Sequence, residues 1–310
     1  MLPSISIVIP VYNSASTLPE LIQRLEQALV SFGPFEVVLV NDGSQDDSWE
    51  TISKLAAARQ WVQGINLMRN YGQHNALLCG IRSTRGDVII TIDDDLQNPP
   101  EEIPKLLAKL AEGYDVVYGT PEQEQHGLWR NLASQVTKLA LQGAMGTKTA
   151  RSVSAFRAFR AQVRQAFANY QGPYVSIDVL LTWATTRFTA VKVSHAQRQR
   201  GVSNYTFRKL VTHAVNMMTG FSTLPLQLAS LIGFAFTALG FGVLVYVIGR
   251  YLTQGSPVAG FPFLASTIAV FSGAQLFALG IIGEYLARMH FRMMERPTYV
   301  VRDHISPPDD

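Results

Sequence analysis

Three consecutive aspartates, Asp93, Asp94 and Asp95, directly follow an apolar stretch, 87–92, that is typical of a buried strand. Carboxylates crowded in this way repel one another unless a cation is bound among them. Mg²⁺ in proteins is usually held by one or two carboxylates together with substrate phosphates. We therefore expect a divalent metal ion such as Mg²⁺ at this triplet, with Asp94 turned away from its two neighbours by strand alternation. The alternatives are a solvated acidic loop and an adventitious Ca²⁺ site.

Two more polar clusters come directly after apolar strands. Tyr12 follows the predicted strand 5–11, and Asp42 and Gly43 follow the predicted strand 36–40. Asp-Gly is common in turns, so the second cluster could be a turn and nothing more. Beside the aspartate triplet, however, Asp42 becomes a candidate contact for a base or a ribose.

The elements that would position these side chains alternate between strands and helices. Further predicted strands are 62–67, 116–119, 152–160 and 189–193, and predicted helices cover 47–58, 75–83, 127–145 and 174–186. Thr17 and Asn98 have the composition of helix N-caps. Such alternation predicts βαβ units and a mainly parallel sheet. Ligands on such sheets bind outside the carboxyl ends of the strands, so the polar clusters should converge on one crevice.

The C-terminal third has a different composition. Residues 224–249 and 251–283 contain no charged side chain, and we predict membrane-spanning helices at about 225–250 and 262–286. The segment 205–223 mixes apolar and basic residues and predicts an amphipathic helix at the membrane surface. The two predicted helices would form a hairpin, and basic residues flank it on one side: Arg208, Lys209, Arg288, Arg292 and Arg296. By the positive-inside rule, we expect that side to lie in the cytoplasm.

Bulk properties exclude several classes. A net charge of +3 without a basic stripe argues against nucleic-acid binding. The single cysteine, Cys79, excludes an internal disulfide, and we expect it to be a buried small hydrophobe. No Gly-x-Gly-x-x-Gly follows the first strand, which excludes a dinucleotide-binding oxidoreductase. The N-terminus shows no charged region typical of a signal peptide, so we expect the first domain to stay in the cytoplasm.

Three motifs together resemble a known family. They are 6–13 (SIVIPVYN), 41–44 (NDGS) and 93–97 (DDDLQ), and the runs 69–74 (RNYGQH) and 96–104 (LQNPPEEIP) narrow the resemblance. The chain resembles family 2 glycosyltransferases of the nucleotide-diphospho-sugar (A-type) fold. Within them it is similar to polyprenyl-phosphate glycosyltransferases, especially the undecaprenyl-phosphate 4-deoxy-4-formamido-L-arabinose transferase group. Bactoprenol glucosyltransferases and dolichol-phosphate mannose synthases are related, and the similarity covers nearly the whole chain.

The resemblance implies roles for particular residues. Pro10, Tyr12 and Asp42 should line the nucleotide pocket, and Asp93 and Asp95 match the metal-binding Asp-x-Asp, with Asp95 the best candidate for direct coordination. A second group, Arg198, Arg200 and Ser203, belongs to a polar loop expected to contact phosphates of the donor or of the lipid. Arg198 and Arg200 could alternatively snorkel to lipid phosphates. The family also implies inverting transfer to a polyprenyl phosphate, often by a homotetramer.

Three positions depart from the pattern of the family. Ser14 stands where many relatives carry an acidic residue, Arg151 where relatives often place an aspartate sometimes assigned as the base, and Asn204 where relatives have lysine. Arg200 could compensate for the lysine. A missing base matters little here, because a phosphomonoester has a second pKa near 6 and its oxygen is already anionic at neutral pH.

We therefore predict a membrane-anchored, metal-dependent enzyme. It moves a sugar from a nucleotide diphosphate, UDP by expectation, to a polyprenyl phosphate at the cytoplasmic face of the inner membrane. The expected domains are a catalytic domain 1–204, an interfacial helix 205–223, a hairpin 224–288 and a cytoplasmic tail 289–310. The alternatives are a non-catalytic nucleotide-sugar-binding membrane protein and a processive polysaccharide synthase; the latter usually carries Gln-x-x-Arg-Trp and more spanning helices, which this sequence lacks.

Overall fold

A computed structural model describes residues 3–121, 152–172, 175–196, 224–254 and 261–306. These residues build an eight-stranded sheet in the order β7-β5-β6-β4-β1-β2-β3-β8. The strands are β1 Ile5–Val11, β2 Phe35–Asn41, β3 Val62–Leu67, β4 Val88–Thr91, β5 Val116–Pro121, β6 Arg157–Arg160, β7 Phe188–Val193 and β8 Val301–Ile305. The α/β fold class predicted from the sequence is confirmed.

The first four strands form the parallel centre of the sheet. β1 lies between β2 and β4, with Val8 in register with Val38 on one side and with Thr91 on the other. The crossover helices are α1 Leu18–Leu29, α2 Ser48–Ala58 and α3 Gln73–Ser83. Every residue of β1 and β3 is buried, as expected for central strands covered by helices on both faces.

The other strands make the sheet mixed. β6 pairs antiparallel with both β4 and β5, and β5 pairs parallel with β7. α4 Ile103–Ala111 precedes β5, a 3₁₀ helix Ala161–Phe167 follows β6, and α5 Ile177–Ala184 precedes β7. One core, containing Leu21, Ile52 and Leu106, packs α1, α2 and α4 on one face of the sheet. The opposite core, containing Leu78 and Leu180, packs α3 and α5.

Thr17 occupies the N-cap position of α1, as predicted, but its side chain makes no cap, and the predicted N-cap at Asn98 is wrong. α1 begins after Thr17, but the Thr17 hydroxyl donates to the carbonyl oxygens of Ser14 and Asp94, at 3.0 and 2.8 Å, and does not cap the helix. Near Asn98 the chain first makes a 3₁₀ turn, Pro100–Glu102, and α4 begins only at Ile103. The reason is the Pro-Pro pair, because a residue that precedes a proline is pushed out of the helical region; Pro99 is extended, with ψ 131°.

Two long apolar helices follow the sheet domain in the chain. α6 covers Leu224–Gln254 and α7 covers Phe261–Met293, both longer than predicted, and each is long and apolar enough to cross a membrane. They contact each other through Phe236 and Phe271, whose ring centroids lie 5.9 Å apart. Gly240 allows the close approach, because a Cβ there would lie 2.8 Å from the Phe271 ring. The predicted elements 127–145 and 205–223 lie outside the described residues.

The chain returns to the sheet after α7. β8 pairs antiparallel with β3, with Ile65 opposite His304, and the Asn66 amide donates to the Asp303 carboxylate at 2.9 Å. Residues 289–310 were expected to form a cytoplasmic tail, so this strand is a correction to that prediction. Four of the five β8 residues are exposed, which is typical of an edge strand and explains the weak apolar signal.

Candidate functional site

The loops that follow β1 and β2 are hydrogen-bonded to each other at the carboxyl edge of the sheet. The Asn13 N–H donates to Ser44 Oγ at 3.0 Å, and the Asn13 side-chain oxygen accepts from the Gln45 N–H at 2.8 Å. Asn13 has φ 54°, a left-handed conformation that asparagine tolerates better than most residues. Tyr12 is 48% exposed beside these bonds, whereas Pro10 is buried within β1. Tyr12 is therefore the more available of the two to a ligand.

Asp42 anchors the loop that follows β3. Its two carboxylate oxygens accept hydrogen bonds from the N–H groups of Tyr71 and Gly72, at 2.7 and 2.9 Å. The adjacent Gly43 has φ 68°, and a Cβ there would lie 2.4 Å from the Asn70 nitrogen, so glycine is required for the two loops to meet. Burial raises the pKa of Asp42, and the two backbone hydrogen bonds oppose the shift. Asp42 thus holds the loop 69–72 in place at the crevice.

Asp93 and Asp95 lie on the loop that follows β4. Asp93 Oδ1 accepts a hydrogen bond from the Gln73 amide at 2.6 Å, and Asp95 Oδ1 accepts from the Gln97 N–H at 3.1 Å. Leu96, between Asp95 and Gln97, has φ 60°, which turns the chain sharply at this point. Gln73 was not identified from the sequence, because its contact with Asp93 spans 20 residues.

Asp94 is hydrogen-bonded to the loop that follows β1, and strand alternation does not apply to it because β4 ends at Thr91. Its carboxylate accepts a hydrogen bond from the Tyr12 N–H at 3.1 Å, and its carbonyl oxygen accepts from the Thr17 hydroxyl. Burial raises the pKa of Asp94, while hydrogen bonds from Ser14 and Tyr12 lower it in part. Asp94 therefore joins the β4 loop to the β1 loop, in contact with the position, Ser14, where many relatives carry an acidic residue.

A buried polar network lies beneath the β4 loop. The Arg157 guanidinium pairs with the Asp178 carboxylate, with side-chain exposures of 2% and 8%, and donates to the Thr91 hydroxyl at 3.0 Å. Tyr118 also donates to Asp178, at 3.2 Å. Thr91 ends β4, two residues before Asp93, so the network fixes the strand from which the aspartates emerge. The sequence offered no signal for this pair, because its members are 21 residues apart on different elements.

The segment after β7 returns to the same loop. The Ala196 N–H donates to the Gln97 carbonyl oxygen at 2.9 Å, and the Ser194 hydroxyl donates to Glu102 at 2.9 Å. The structure thus describes the chain up to two residues before Arg198. The predicted phosphate-binding residues and two of the family departures lie outside the described residues: Arg198, Arg200, Ser203, Arg151 and Asn204.

The donor set fits a divalent ion that shares its ligands with a substrate. Among the residues that the structure describes, no group of three or more His, Cys, Asp or Glu side chains is placed to hold a metal. The Asp94 carboxylate accepts a hydrogen bond from the Tyr12 N–H, which leaves Asp93 and Asp95 as the candidate ligands of the triplet. One or two carboxylates completed by phosphate oxygens and water is the usual environment of Mg²⁺.

Comparison with known proteins identifies the family. The model of glycosyl transferase family 2 matches residues 6–170, from β1 through the 3₁₀ helix that follows β6. The chain therefore belongs to glycosyl transferase family 2 and is a glycosyltransferase. The resemblance stated from the three motifs is confirmed.

Relatives align along nearly the entire chain. An undecaprenyl-phosphate 4-deoxy-4-formamido-L-arabinose transferase of Pseudomonas aeruginosa is 38% identical over 302 residues, which cover 96% of this chain and 89% of the relative. A transferase of the same name from Klebsiella pneumoniae is 36% identical over 309 residues, covering 98% and 94%. These alignments include both the sheet and the two long helices.

Solved structures share the fold. Glucosyl-3-phosphoglycerate synthase of Mycobacterium tuberculosis, in complex with Mn²⁺, UDP and glucosyl-3-phosphoglycerate, aligns with a TM-score of 0.53 at 18% identity. The alignment covers 70% of this chain and 78% of that one. At this identity the likeness concerns the fold alone, and it agrees with the A-type glycosyltransferase architecture.

Proposed function

We propose that this enzyme transfers a sugar from a UDP-sugar to undecaprenyl phosphate, with inversion at the sugar carbon. The observation that carries the proposal is the alignment of relatives named for this acceptor over 96–98% of the chain, with crevice and hairpin included. Of the two alternatives from the sequence, membership of a glycosyltransferase family argues against the non-catalytic nucleotide-sugar-binding protein, and the processive synthase remains the rival.

The donor side of the proposal depends on the four loops at the sheet edge. In it, Tyr12 and the loop held by Asp42 line the nucleotide pocket, and Asp93 and Asp95 hold a divalent ion, Mg²⁺ or Mn²⁺. When bound, that ion neutralises charge developing on the departing diphosphate. A fold relative was solved with Mn²⁺ and UDP, which supports a metal and a uridine nucleotide here. Pro10, buried in β1, would act through the backbone of the same strand.

The acceptor side needs orientation more than proton transfer. A phosphomonoester oxygen is anionic at neutral pH, so it can attack the sugar carbon without a base, and rate then comes from holding the two substrates in line. Arg198, Arg200 and Ser203 are proposed to hold phosphate oxygens. The Ala196–Gln97 hydrogen bond supports this, because it joins the start of that loop to the aspartate loop.

The path of the chain supports the proposed membrane anchorage. α6 leaves the sheet domain and β8 rejoins it after α7, so both ends of the two-helix hairpin lie on one side. Arg288, Arg292 and Arg296 flank that side, which under the positive-inside rule is the cytoplasm. We propose an inner-membrane enzyme with catalytic domain 1–204, interfacial helix 205–223 and spanning segment 224–288, and the family suggests a homotetramer.

A glycolipid-forming assay tests the function. The purified full-length protein would receive undecaprenyl phosphate and a panel of UDP- and GDP-sugars, with Mg²⁺ or Mn²⁺ and with a chelator. We expect one UDP-sugar to yield a glycolipid, chelator to abolish it, and undecaprenol, which lacks the phosphate, to be inert. A folded protein that binds nucleotide yet makes no glycolipid from any donor would contradict transferase activity on this lipid.

A further inference from the structure

A cavity of about 380 Å³ opens where the sheet domain meets the end of α7. On the sheet side it is lined by Arg69, Asn70 and Tyr71, which belong to the loop between β3 and α3. On the helix side it is lined by Phe291, in the last turn of α7, and by Arg296, just beyond it. Its volume lies in the range of small-molecule binding sites.

The charged residues that line this cavity are all basic. Two of its lining residues, Arg69 and Arg296, are cationic, and none is acidic. In the described part of the chain neither arginine forms an ion pair with a carboxylate. The Arg69 guanidinium lies 4.7 Å from the centroid of the Tyr71 ring, which restricts its position. Two guanidinium groups without counter-charge are suited to an anion with several oxygens, such as a phosphate.

The position of the cavity indicates the source of that phosphate. The apolar span Val270–Met293 ends beside it, and after Arg296 the chain runs toward β8; just before that strand, the Met68 N–H donates to the Val300 carbonyl oxygen at 2.9 Å. On the proposed topology this junction lies at the level of the lipid headgroups. Anionic headgroups attract arginines near the membrane surface.

The cavity shares a loop with the candidate active site. Tyr71 lines the cavity, and its N–H donates a hydrogen bond to the Asp42 carboxylate. Gln73, two residues further on, donates to Asp93. A ligand that orders Arg69 and Tyr71 would therefore also order the loop that contacts the candidate metal-binding aspartate.

We propose that this cavity binds the phosphate group of a membrane lipid, with Arg69 and Arg296 as its ligands. The inference rests on the membrane anchorage in the proposed function and adds a lipid-phosphate site apart from the aspartate loop. The lipid is either the polyprenyl phosphate acceptor or an anionic phospholipid of the bilayer, and the shared chemistry is the phosphate.

Native mass spectrometry of the full-length protein in phosphate-free detergent would test the site. The protein would be titrated with undecaprenyl phosphate, undecaprenol, phosphatidylglycerol and diacylglycerol. We expect the two phosphate lipids, or the first alone, to bind, and Arg296→Gln to weaken that binding at least tenfold. Arg292→Gln is the matched control, because Arg292 lies four residues away on α7, carries the same charge and does not line the cavity.

The outcomes distinguish the two possible lipids from each other and the proposed site from the proposed function. Binding of undecaprenyl phosphate alone would assign the site to the acceptor, and equal binding of phosphatidylglycerol would assign it to bulk lipid. Either result supports the proposal if Arg296→Gln weakens the binding and Arg292→Gln does not. Arg296→Lys should restore part of the affinity, and Arg69→Gln should repeat the loss. Equal effects of Arg296→Gln and Arg292→Gln would overturn the site. Glycolipid formation is measured separately, so a protein that binds lipid phosphate but transfers no sugar would contradict the proposed function and leave the site intact.

Discussion

Asp178→Asn should destabilise the sheet domain strongly. The substitution keeps the shape of the side chain but leaves the Arg157 guanidinium, 2% exposed, without its counter-charge. Removing one partner of a buried ion pair costs about 3–5 kcal/mol. For a domain of about 200 residues each kcal/mol lowers the unfolding temperature by about 2–4 °C, so the expected fall is about 6–20 °C.

The single cysteine provides the assay. Cys79 is buried, and burial raises the pKa of its thiol to about 12, so the folded protein should react slowly with a thiol-specific fluorophore. Heating the protein with such a reagent therefore reports the unfolding of the core around α3. Glu50→Gln is the matched control, because it also converts a carboxylate to an amide but breaks an exposed pair with Lys54, whose side-chain exposures are 64% and 74%.

The unfolding temperatures of Asp178→Asn and Glu50→Gln together test whether the buried ion pair supports the sheet. Exposed ion pairs contribute little, so Glu50→Gln should leave the unfolding temperature almost unchanged. The double variant Arg157→Leu/Asp178→Leu should be more stable than Asp178→Asn alone, because no unpaired charge remains buried. If Asp178→Asn unfolds at the same temperature as Glu50→Gln, the buried pair does not support the sheet and the argument is refuted.

Three further predictions concern the site and the thiol. Asp95→Asn should lower glycolipid formation at least about 100-fold without lowering the unfolding temperature, because it removes a proposed metal ligand from an accessible loop; equal activity at saturating Mg²⁺ would exclude it as a ligand. Asp94→Asn should weaken nucleotide binding by about 10–100-fold in a UDP titration, because hydrogen bonds to charged groups contribute about 1.5–3 kcal/mol and the Tyr12 N–H loses a charged acceptor; unchanged affinity would show that Asp94 does not position Tyr12. For Cys79, the folded pKa of about 12 lies above the unfolded value of about 9. The contribution of this thiol to the free energy of unfolding is therefore fully present below pH 9 and is lost as the pH rises toward 12. Alkylation of the native protein should accordingly increase about tenfold per pH unit from pH 9 to pH 11; a plateau at pH 9 would contradict the raised pKa.

The central strands could be predicted from the sequence because their signal is local. β1 covers Ile5–Val11, the predicted range, since a fully buried parallel strand is a largely apolar run that ends at turn residues. β6 and β8 were harder, because both are short and carry charged residues, among them Arg157 and Asp303. The antiparallel direction of these strands is set by distant partners and is not encoded in their own residues.

In the candidate site, too, the positions of residues could be predicted from the sequence but their tertiary contacts could not. The positions of Asp42 and Asp93 at strand ends follow from the alternation of strands and helices. Their hydrogen-bond partners do not, because Asp94 and Tyr12 are 82 residues apart and Asp42 and Tyr71 are 29 apart. Thr17 shows how a local sequence rule can fail. Threonine is a typical N-cap residue, but the Thr17 hydroxyl donates to a distant acceptor, the Asp94 carbonyl oxygen.

The strand β8 also sets an order of events during synthesis. Its partner β3 leaves the ribosome first, and contacts between the two regions join residues 234 positions apart, with both apolar helices between them. At 5–20 residues per second the outer edge of β3 waits roughly 10–50 s for its neighbour. During that interval it presents unpaired backbone groups, which favour aggregation. On the proposed topology this edge closes only after α7 has brought the chain back to the cytoplasmic face, so completion of the sheet is coupled to insertion of the hairpin.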